Sequence, residues 1–140
     1  MMLTRRELTL LMPALFATQV PAATGGAVSE TFRMEDISPS RNGPLTSRQM
    51  LRTQTHSGYR LDLHESELPA GMAPHDPHQH VHEELLLIRA GTLDVTTGGK
   101  TTRLGPGSSV YFASSQLHGW RNVGTSTARY FVLALGDDNA

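Results

Sequence analysis

Cysteine is absent from this 140-residue chain, and lysine is almost absent, because Lys100 is the only one. Without thiols the chain can form no disulfide bond, thiolate metal site or cysteine nucleophile, so any metal ion must be bound through nitrogen and oxygen. An excess of positive charge is also missing, since the formal net charge is −1 at pH 7. Such a chain has no general attraction to phosphate backbones, and we expect no nucleic-acid partner.

A long hydrophobic run is missing as well. The apolar stretch at residues 8–20 is shorter than the roughly 20 residues of a membrane-spanning helix. It follows a pair of arginines and precedes small residues, which is the layout of a secretory signal peptide. We therefore predict a signal peptide at residues 1–22, cleaved near Ala22 or Ala23, with no stable membrane insertion afterwards. The alternative is a short amphipathic helix that stays attached.

The segment Thr4-Arg5-Arg6-Glu7-Leu8 resembles a bacterial twin-arginine export signal. It departs from that signal at Leu10, where a lysine is usual, so a general secretory signal is the alternative. Either signal predicts a periplasmic or secreted protein. The twin-arginine pathway carries folded proteins, which implies that a cofactor could be inserted before export.

The remaining length is enough for one domain. Residues 23–47 contain glycine, proline, serine and asparagine in turn-forming combinations, and only residues 30–37 could make a short strand. We predict an N-terminal extension at residues 23–47 and a folded domain at residues 48–140.

Within this domain the apolar pattern is that of short strands. Tyr59, Leu61 and Leu63 alternate with polar residues, as in a half-buried strand. Gly98-Gly99 fits a two-residue hairpin loop between strands. Further strands are predicted at residues 84–90, 93–97, 100–104, 110–112, 118–123 and 129–135. The fold class predicted by this spacing is all-β, a sandwich or jelly roll.

Histidine is concentrated immediately before the strand at residues 84–90. Four of the seven histidines lie within eight residues, and two glutamates follow them. His78 and His80 would share one face of a strand, and Glu84 keeps the same parity if the strand is continuous. His82 shares that parity too. His118 opens a later strand on which Trp120 would also point inward.

These residues resemble the first motif of the cupin family. That motif is a glycine, a His-x-His pair, three residues, a glutamate, six residues and a second glycine. Here it reads Gly71, His78-Gln79-His80, Glu84 and Gly91, with six residues where the motif has five between Gly71 and His78.

The second cupin motif is matched farther along the chain. Gly107, His118 and Asn122 stand at the motif's spacing. The chain departs from the motif at Ala113, where a proline is usual, and at Ser115, where a glycine is usual. Both departures fall in the turn ahead of the histidine, so its conformation is in question.

The resemblance implies a single-domain cupin-type jelly-roll β-barrel with a metal ion inside one end. The implied ligands are His78, His80, Glu84 and His118. Three imidazoles and a carboxylate suit one divalent ion of Mn, Fe, Ni, Co, Cu or Zn, and leave two octahedral positions open. The alternative is a cupin that keeps these residues but works without metal.

Two classes of function follow from the resemblance. The first is a metal enzyme of the dioxygenase, decarboxylase, isomerase or lyase type, acting on a small oxygenated molecule. The second is a non-catalytic protein that binds a small ligand or metal. No catalytic residue outside the metal shell is identified by sequence, and His75, His82, Gln116 and Trp120 have no assigned role.

A homodimer is also expected. Leu85 and Leu87 have the opposite parity to Glu84, so the strand is apolar on both faces and needs a second cover. Small cupins resemble one another in pairing sheets across a two-fold axis. The segment at residues 30–37 is the alternative cover.

Overall fold

The computed structural model describes residues 28–137, and the predicted signal peptide and its cleavage position lie outside them. The described residues form nine strands and one 3₁₀ turn, Met34–Asp36. In chain order the strands are β1 (Ser40–Asn42), β2 (Leu45–Gln54), β3 (Arg60–Leu68), β4 (Glu83–Ala90), β5 (Leu93–Thr97), β6 (Lys100–Leu104), β7 (Ser109–Phe112), β8 (His118–Asn122) and β9 (Ala128–Leu135). The expected all-β fold is confirmed.

Two antiparallel sheets make up the jelly roll. The larger has the order β1-β2-β3-β9-β4-β7 and the smaller has the order β6-β5-β8. The predicted hairpin is present, with Thr97 opposite Lys100 across the Gly98-Gly99 loop. No helix among residues 28–137 is long and apolar enough to cross a membrane.

The expected strand at residues 30–37 is wrong. The chain instead makes a 3₁₀ turn there, in which the amide of Asp36 donates to the carbonyl of Arg33 at 3.0 Å. The Arg33 side chain also pairs with Glu35 at 2.9 Å, a local contact that suits a turn. The larger sheet begins soon afterwards, since β1 starts at Ser40 and pairs with β2. It therefore includes the last residues of the predicted extension.

The core lies between the two sheets. On β4, Leu86 and Ile88 are buried while Leu87 is 45% exposed, which is the alternation of a strand with one face inward. Trp120 of the smaller sheet stacks on Phe112 of the larger one, with ring centroids 5.6 Å apart. The inner faces of the sheets therefore pack directly on each other.

Close backbone packing fixes the turn that follows β4. Gly91 has φ +87, a left-handed conformation that glycine adopts without strain. A Cβ atom at this position would lie 2.7 Å from both the Cα and the Cβ of Ala128. Two independent reasons therefore favour glycine at position 91: its positive φ and the lack of space for a Cβ atom beside Ala128.

The outer face of the larger sheet is apolar over much of its area. Leu85 pairs with Leu133, which in turn pairs with Leu63, so three leucines lie in one row across β4, β9 and β3. Leu87 pairs with Phe131 in the next row. Within residues 28–137, Leu87 is left substantially exposed.

Candidate metal centre

The four predicted metal ligands come from three parts of the fold. His78 and His80 lie in the irregular segment before β4 and not on a strand, because β4 begins only at Glu83. Glu84 is the second residue of β4 and His118 is the first of β8. The backbones of His78 and His118 exchange two hydrogen bonds of 3.0 Å each. This isolated bridge places the histidine segment alongside β8, at the edge of the smaller sheet.

The four side chains converge at one point inside the jelly roll. One ring nitrogen from each of His78, His80 and His118 lies within 4.8 Å of the others. The Oε2 atom of Glu84 is 3.5 Å from Nε2 of His80 and 3.5 Å from Nε2 of His118. Nitrogen and oxygen donors spaced in this way surround a volume that could hold one cation.

Each of these side chains carries a buried polar atom without a hydrogen-bond partner among the described residues. The atoms are His78 Nδ1, His80 Nε2, Glu84 Oε2 and His118 Nε2. Buried polar groups in proteins are nearly always hydrogen-bonded, since an unsatisfied one costs about 1–3 kcal/mol. Four such atoms, on side chains that lie close together, are compatible with a metal site.

Backbone carbonyls orient two of the imidazoles. The Nδ1 atom of His80 is 2.7 Å from the carbonyl oxygen of His82, and Nδ1 of His118 is 2.8 Å from that of Gln116. A carbonyl only accepts, so each Nδ1 carries the proton and each Nε2 is left with a lone pair directed at the cluster. An imidazole that donates through its other nitrogen is the usual form of a metal-bound histidine.

The surroundings of His78 also favour its neutral imidazole. Burial lowers the pKa of His78 below its ordinary value, and the neighbouring His75, His118 and His80 lower it further, against an opposing hydrogen bond to the Asp76 backbone. Neutral imidazole is the form that binds divalent ions.

The family is shown by sequence. The model of the cupin domain matches residues 64–134, which is half of the chain. The chain belongs to the cupin family. No curated protein matches the sequence.

Solved cupin structures share the fold. KdgF from Halomonas sp. superposes with a TM-score of 0.68 at 17% identity, covering 80% of this cupin and 98% of that chain. A predicted oxalate decarboxylase from Thermotoga maritima gives a TM-score of 0.68 at 19% identity, over 77% of this chain and all of that one (100%). The DMSP lyase DddQ from Ruegeria pomeroyi DSS-3 is 32% identical with a TM-score of 0.51, over 57% of this chain and 40% of that one.

A fourth histidine lies beside the cluster of this cupin. The ring of His82 stacks on that of His80 with centroids 3.6 Å apart and planes 5° apart. Its Nε2 is 3.4 Å from Oε1 of Glu84, so His80, His82 and Glu84 form a second group that could hold an ion. His82 had no role assigned from the sequence. Its shared parity with Glu84 was the signal that pointed to the site.

The turn ahead of His118 contains a residue in the left-handed region, at a position where the cupin motif has glycine. Ser115, which stands where the motif has glycine, has φ +60, in the left-handed region. Its amide donates to the carbonyl oxygen of His80 at 2.7 Å. A serine thus adopts a conformation that favours glycine, and its amide connects this turn to the predicted ligand His80.

Asn122, the last residue of the second motif, has a structural role. It is fully buried, and its amide nitrogen donates at 2.8 Å to the carbonyls of Leu68 and Ser126. Its side-chain oxygen accepts a 3.0 Å hydrogen bond from the amide of Gly124. Asn122 therefore closes the turn between β8 and β9.

The remaining sequence candidates surround the cluster at greater distance. His75 is exposed and meets the edge of the His78 ring at 4.1 Å. Trp120 is a core residue whose ring meets that of Tyr130 edge-on, with centroids 5.7 Å apart. Burial raises the pKa of Tyr130 to about 12. The charge of Glu84 also raises this pKa, whereas hydrogen bonding with Trp120 and Ser66 acts to lower it. Gln116 is exposed and contributes its backbone carbonyl.

A cavity of about 380 Å³ adjoins the cluster on the inner face of the larger sheet. Glu84 and His82 form one wall, and Asp62 and His64 of β3 lie on another. No sequence pattern pointed to His64. In the first half of β3 the alternation has the sense opposite to that of an ordinary half-buried strand, since Arg60, Asp62 and His64 face this cavity while Leu61 and Leu63 lie on the outer face.

Proposed function

We propose that this cupin is a metal-dependent enzyme that acts on a small oxygenated molecule. One divalent ion would be held by His78, His80, Glu84 and His118, at an open 3-His/1-Glu site. The observation that carries the proposal is the set of four buried donor atoms, one from each residue, that meet without hydrogen-bond partners among residues 28–137.

The chemistry of the donor set fits an ion of the Mn to Zn series, since neutral imidazole and carboxylate suit borderline divalent metals. When bound, such an ion supplies a Lewis acid that polarises a carbonyl or carboxylate oxygen. The protein's own residues fix the donors: the carbonyl of His82 orients His80, and the carbonyl of Gln116 orients His118.

Two observations favour catalysis over passive binding. The cavity beside Glu84 is lined by ionisable side chains, among them Asp62, His64 and Arg52, whereas a site for passive binding of an apolar ligand would need none. Similar structures also carry enzyme names, a predicted oxalate decarboxylase and a DMSP lyase. These names support decarboxylase or lyase chemistry within the proposed range of dioxygenase, decarboxylase, isomerase and lyase reactions, and no single reaction.

The metal proposal is tested by metal analysis of the purified protein and its variants. We expect one equivalent of divalent metal in the wild type, and none in His80→Ala or His118→Ala. His75→Ala is the matched control, because its imidazole touches the His78 ring only by its edge. Loss of metal from His75→Ala as complete as from His80→Ala would show that the ligands are assigned wrongly.

His82→Ala separates the two candidate groups. If the ion is held by His78, His80, Glu84 and His118, this variant keeps one equivalent of metal. If the ion lies instead between His80, His82 and Glu84, metal is lost from His82→Ala and retained in His78→Ala. Circular dichroism of each variant checks that the β-fold is intact.

Export through the twin-arginine pathway and a periplasmic or secreted location are part of the proposal. The support is the Arg5-Arg6 pair ahead of the apolar stretch and the small residues after it. Changing both arginines to lysine keeps the charge and should block export, which cell fractionation would measure. Normal periplasmic levels of the double variant would contradict the twin-arginine assignment.

A homodimer is proposed as well, formed through the apolar outer face of the larger sheet. Leu87 and Tyr111 are 45% and 54% exposed on that face, and they adjoin the leucine row across β4, β9 and β3. Large exposed apolar patches on soluble proteins usually mark interaction surfaces.

A further inference from the structure

The cavity beside the metal cluster exists because one residue in its floor is small. Asp62, Ala134 and Glu84 are paired in one row across β3, β9 and β4. With strands about 4.8 Å apart, the Cα atoms of Asp62 and Glu84 lie about 10 Å from each other on the same face. Ala134 between them carries only a methyl group, so the space above it stays open.

Asp62 is held firmly on the far side of this space. Its Oδ1 accepts a 2.8 Å hydrogen bond from Gln49, and its Oδ2 a 2.7 Å hydrogen bond from Arg52. Partial burial would raise its pKa, but the hydrogen bonds from Gln49 and Arg52 and the charge of Arg52 outweigh burial and lower it below the ordinary value. Asp62 is therefore a fixed, ionised carboxylate at neutral pH.

His64 stands next to Asp62 on the same face of β3. Its Nδ1 is 3.5 Å from Oδ1 of Asp62, at the long end of the hydrogen-bond range. When Nδ1 donates to the carboxylate, Nε2 is the basic nitrogen of the ring. A carboxylate that orients a histidine in this way is a recurrent arrangement in general acid–base catalysis.

The charges that face His64 across the cavity come from several elements. Arg52 on β2 and Arg60 and Asp62 on β3 line it, together with His82 and Glu84 on the metal side. With a divalent cation at the cluster, positive charge exceeds the charge of the two carboxylates. A small anion is the ligand that this balance favours.

From this geometry we infer that the cavity above Ala134 binds a small carboxylic acid and that His64, positioned by Asp62, is its proton-transfer residue. The inference rests on the proposed function, because the acid would lie between the metal cluster and His64. It narrows the reaction to proton-transfer chemistry, as in a lyase or an isomerase, and needs no oxidant.

The step itself is balanced. The Nε2 lone pair of His64 takes a proton from the carbon next to the carbonyl or carboxylate group, forming an N–H bond as the C–H bond breaks. The electron pair of that C–H bond moves into the adjoining carbonyl group. The same nitrogen can return the proton, so the step is reversible and exchanges that hydrogen with solvent.

Deuterium exchange into pyruvate and malonate tests the assignment, because both are small acids with acidic C–H groups. Mn²⁺-loaded protein is incubated with each acid in D₂O, and mass spectrometry measures the incorporated deuterium against the same concentration of free Mn²⁺. We expect exchange into at least one acid by the wild type, and about 100-fold slower exchange by His64→Gln, the lower range of a general base's contribution. Asp62→Asn should slow exchange as well.

Binding is measured separately through the broadening of the acid's proton NMR signals by bound Mn²⁺. We expect this broadening to be unchanged in His64→Gln and Asp62→Asn, so that both variants bind the acid but transfer its proton slowly. Ala134→Leu should remove the broadening at full metal content, because its side chain fills the cavity, whereas Ala134→Ser should preserve it. His56→Gln is the matched histidine control, since His56 is exposed in the turn between β2 and β3 and lies outside the cavity.

The outcomes separate the inference from the proposed function. A protein that takes up no metal contradicts the proposed function itself. A protein that binds Mn²⁺ and exchanges neither acid contradicts the proton-transfer assignment and leaves the metal site standing. Exchange by His64→Gln at the wild-type rate would show that His64 is not the base.

Discussion

The amide of Ser115 donates a 2.7 Å hydrogen bond to the carbonyl oxygen of His80. This bond joins the turn between β7 and β8 to the histidine segment before β4, two regions 35 residues apart in the chain. It requires the left-handed conformation that Ser115 adopts, with φ +60. The position of one predicted ligand therefore depends on a backbone conformation that a serine adopts only with strain.

Replacing Ser115 by glycine should stabilise the protein. The left-handed conformation costs a residue with a Cβ atom about 1–2 kcal/mol, and glycine relieves this strain. Part of the relief is offset by the greater conformational entropy of glycine in the unfolded chain. We expect the free energy of unfolding to rise by about 0.5–1 kcal/mol in urea denaturation. Ser114→Gly is the control, because Ser114 has no positive φ and should gain nothing. Equal effects at both positions would contradict the strain at Ser115.

Replacing Gly91 by alanine should destabilise the protein more than the same change at Gly107. Both glycines have positive φ, +87 and +84, so backbone strain is the same in the two variants. Only at Gly91 does the new Cβ meet Ala128, at 2.7 Å, while Gly107 has open space. Overpacking adds about 1–3 kcal/mol, and urea denaturation of the two variants should show this difference. Equal losses would mean that the neighbouring strand moves away at no cost.

The stability difference between the wild type and Asp62→Asn should depend on pH. The folded-state pKa of Asp62 lies below its ordinary value of 3.8, so the folded chain binds this proton more weakly than the unfolded chain does. The contribution of Asp62 is then fully present above pH 3.8 and is lost as the pH falls through the folded-state pKa. Urea denaturation at several pH values from 7 downward should show the difference shrinking below about pH 4. A difference that stays constant would contradict the lowered pKa.

Leu87→Asp should dissociate the proposed homodimer. Leu87 lies on the outer face of the larger sheet and is 45% exposed in the single chain, and a charge there would have to be buried in the interface. Light scattering at micromolar concentration should give about twice the mass of one chain for the wild type and the mass of one chain for the variant. Leu117→Asp is the control, since Leu117 is 59% exposed in the loop before β8 and should stay dimeric. A monomeric wild type would remove the basis of this proposal.

Local patterns were enough to predict most strands. Apolar alternation and Gly-Gly punctuation placed β4 to β9 within one residue and located the first half of β3, because each strand has a buried face that repeats every second residue. β1 and β2 carry too few apolar residues to produce that signal, and residues 30–37 looked like a strand while local ion pairs hold a turn there. Where burial is weak, the sequence pattern is weak too.

The sequence by itself determined which residues could bind a metal ion, since the resemblance to the two cupin motifs implied His78, His80, Glu84 and His118. Only the tertiary structure decided that His82 stacks on His80 and that the polar face of β3 turns inward, so that His64 and Asp62 meet a cavity beside Glu84. The physical reason is that a period of two assigns residues to the two faces of a strand but does not say which face is covered. Which face is covered depends on the neighbouring strands. Whether a cavity remains there depends on the small side chain of Ala134, which follows Asp62 and His64 by more than 60 residues in the chain.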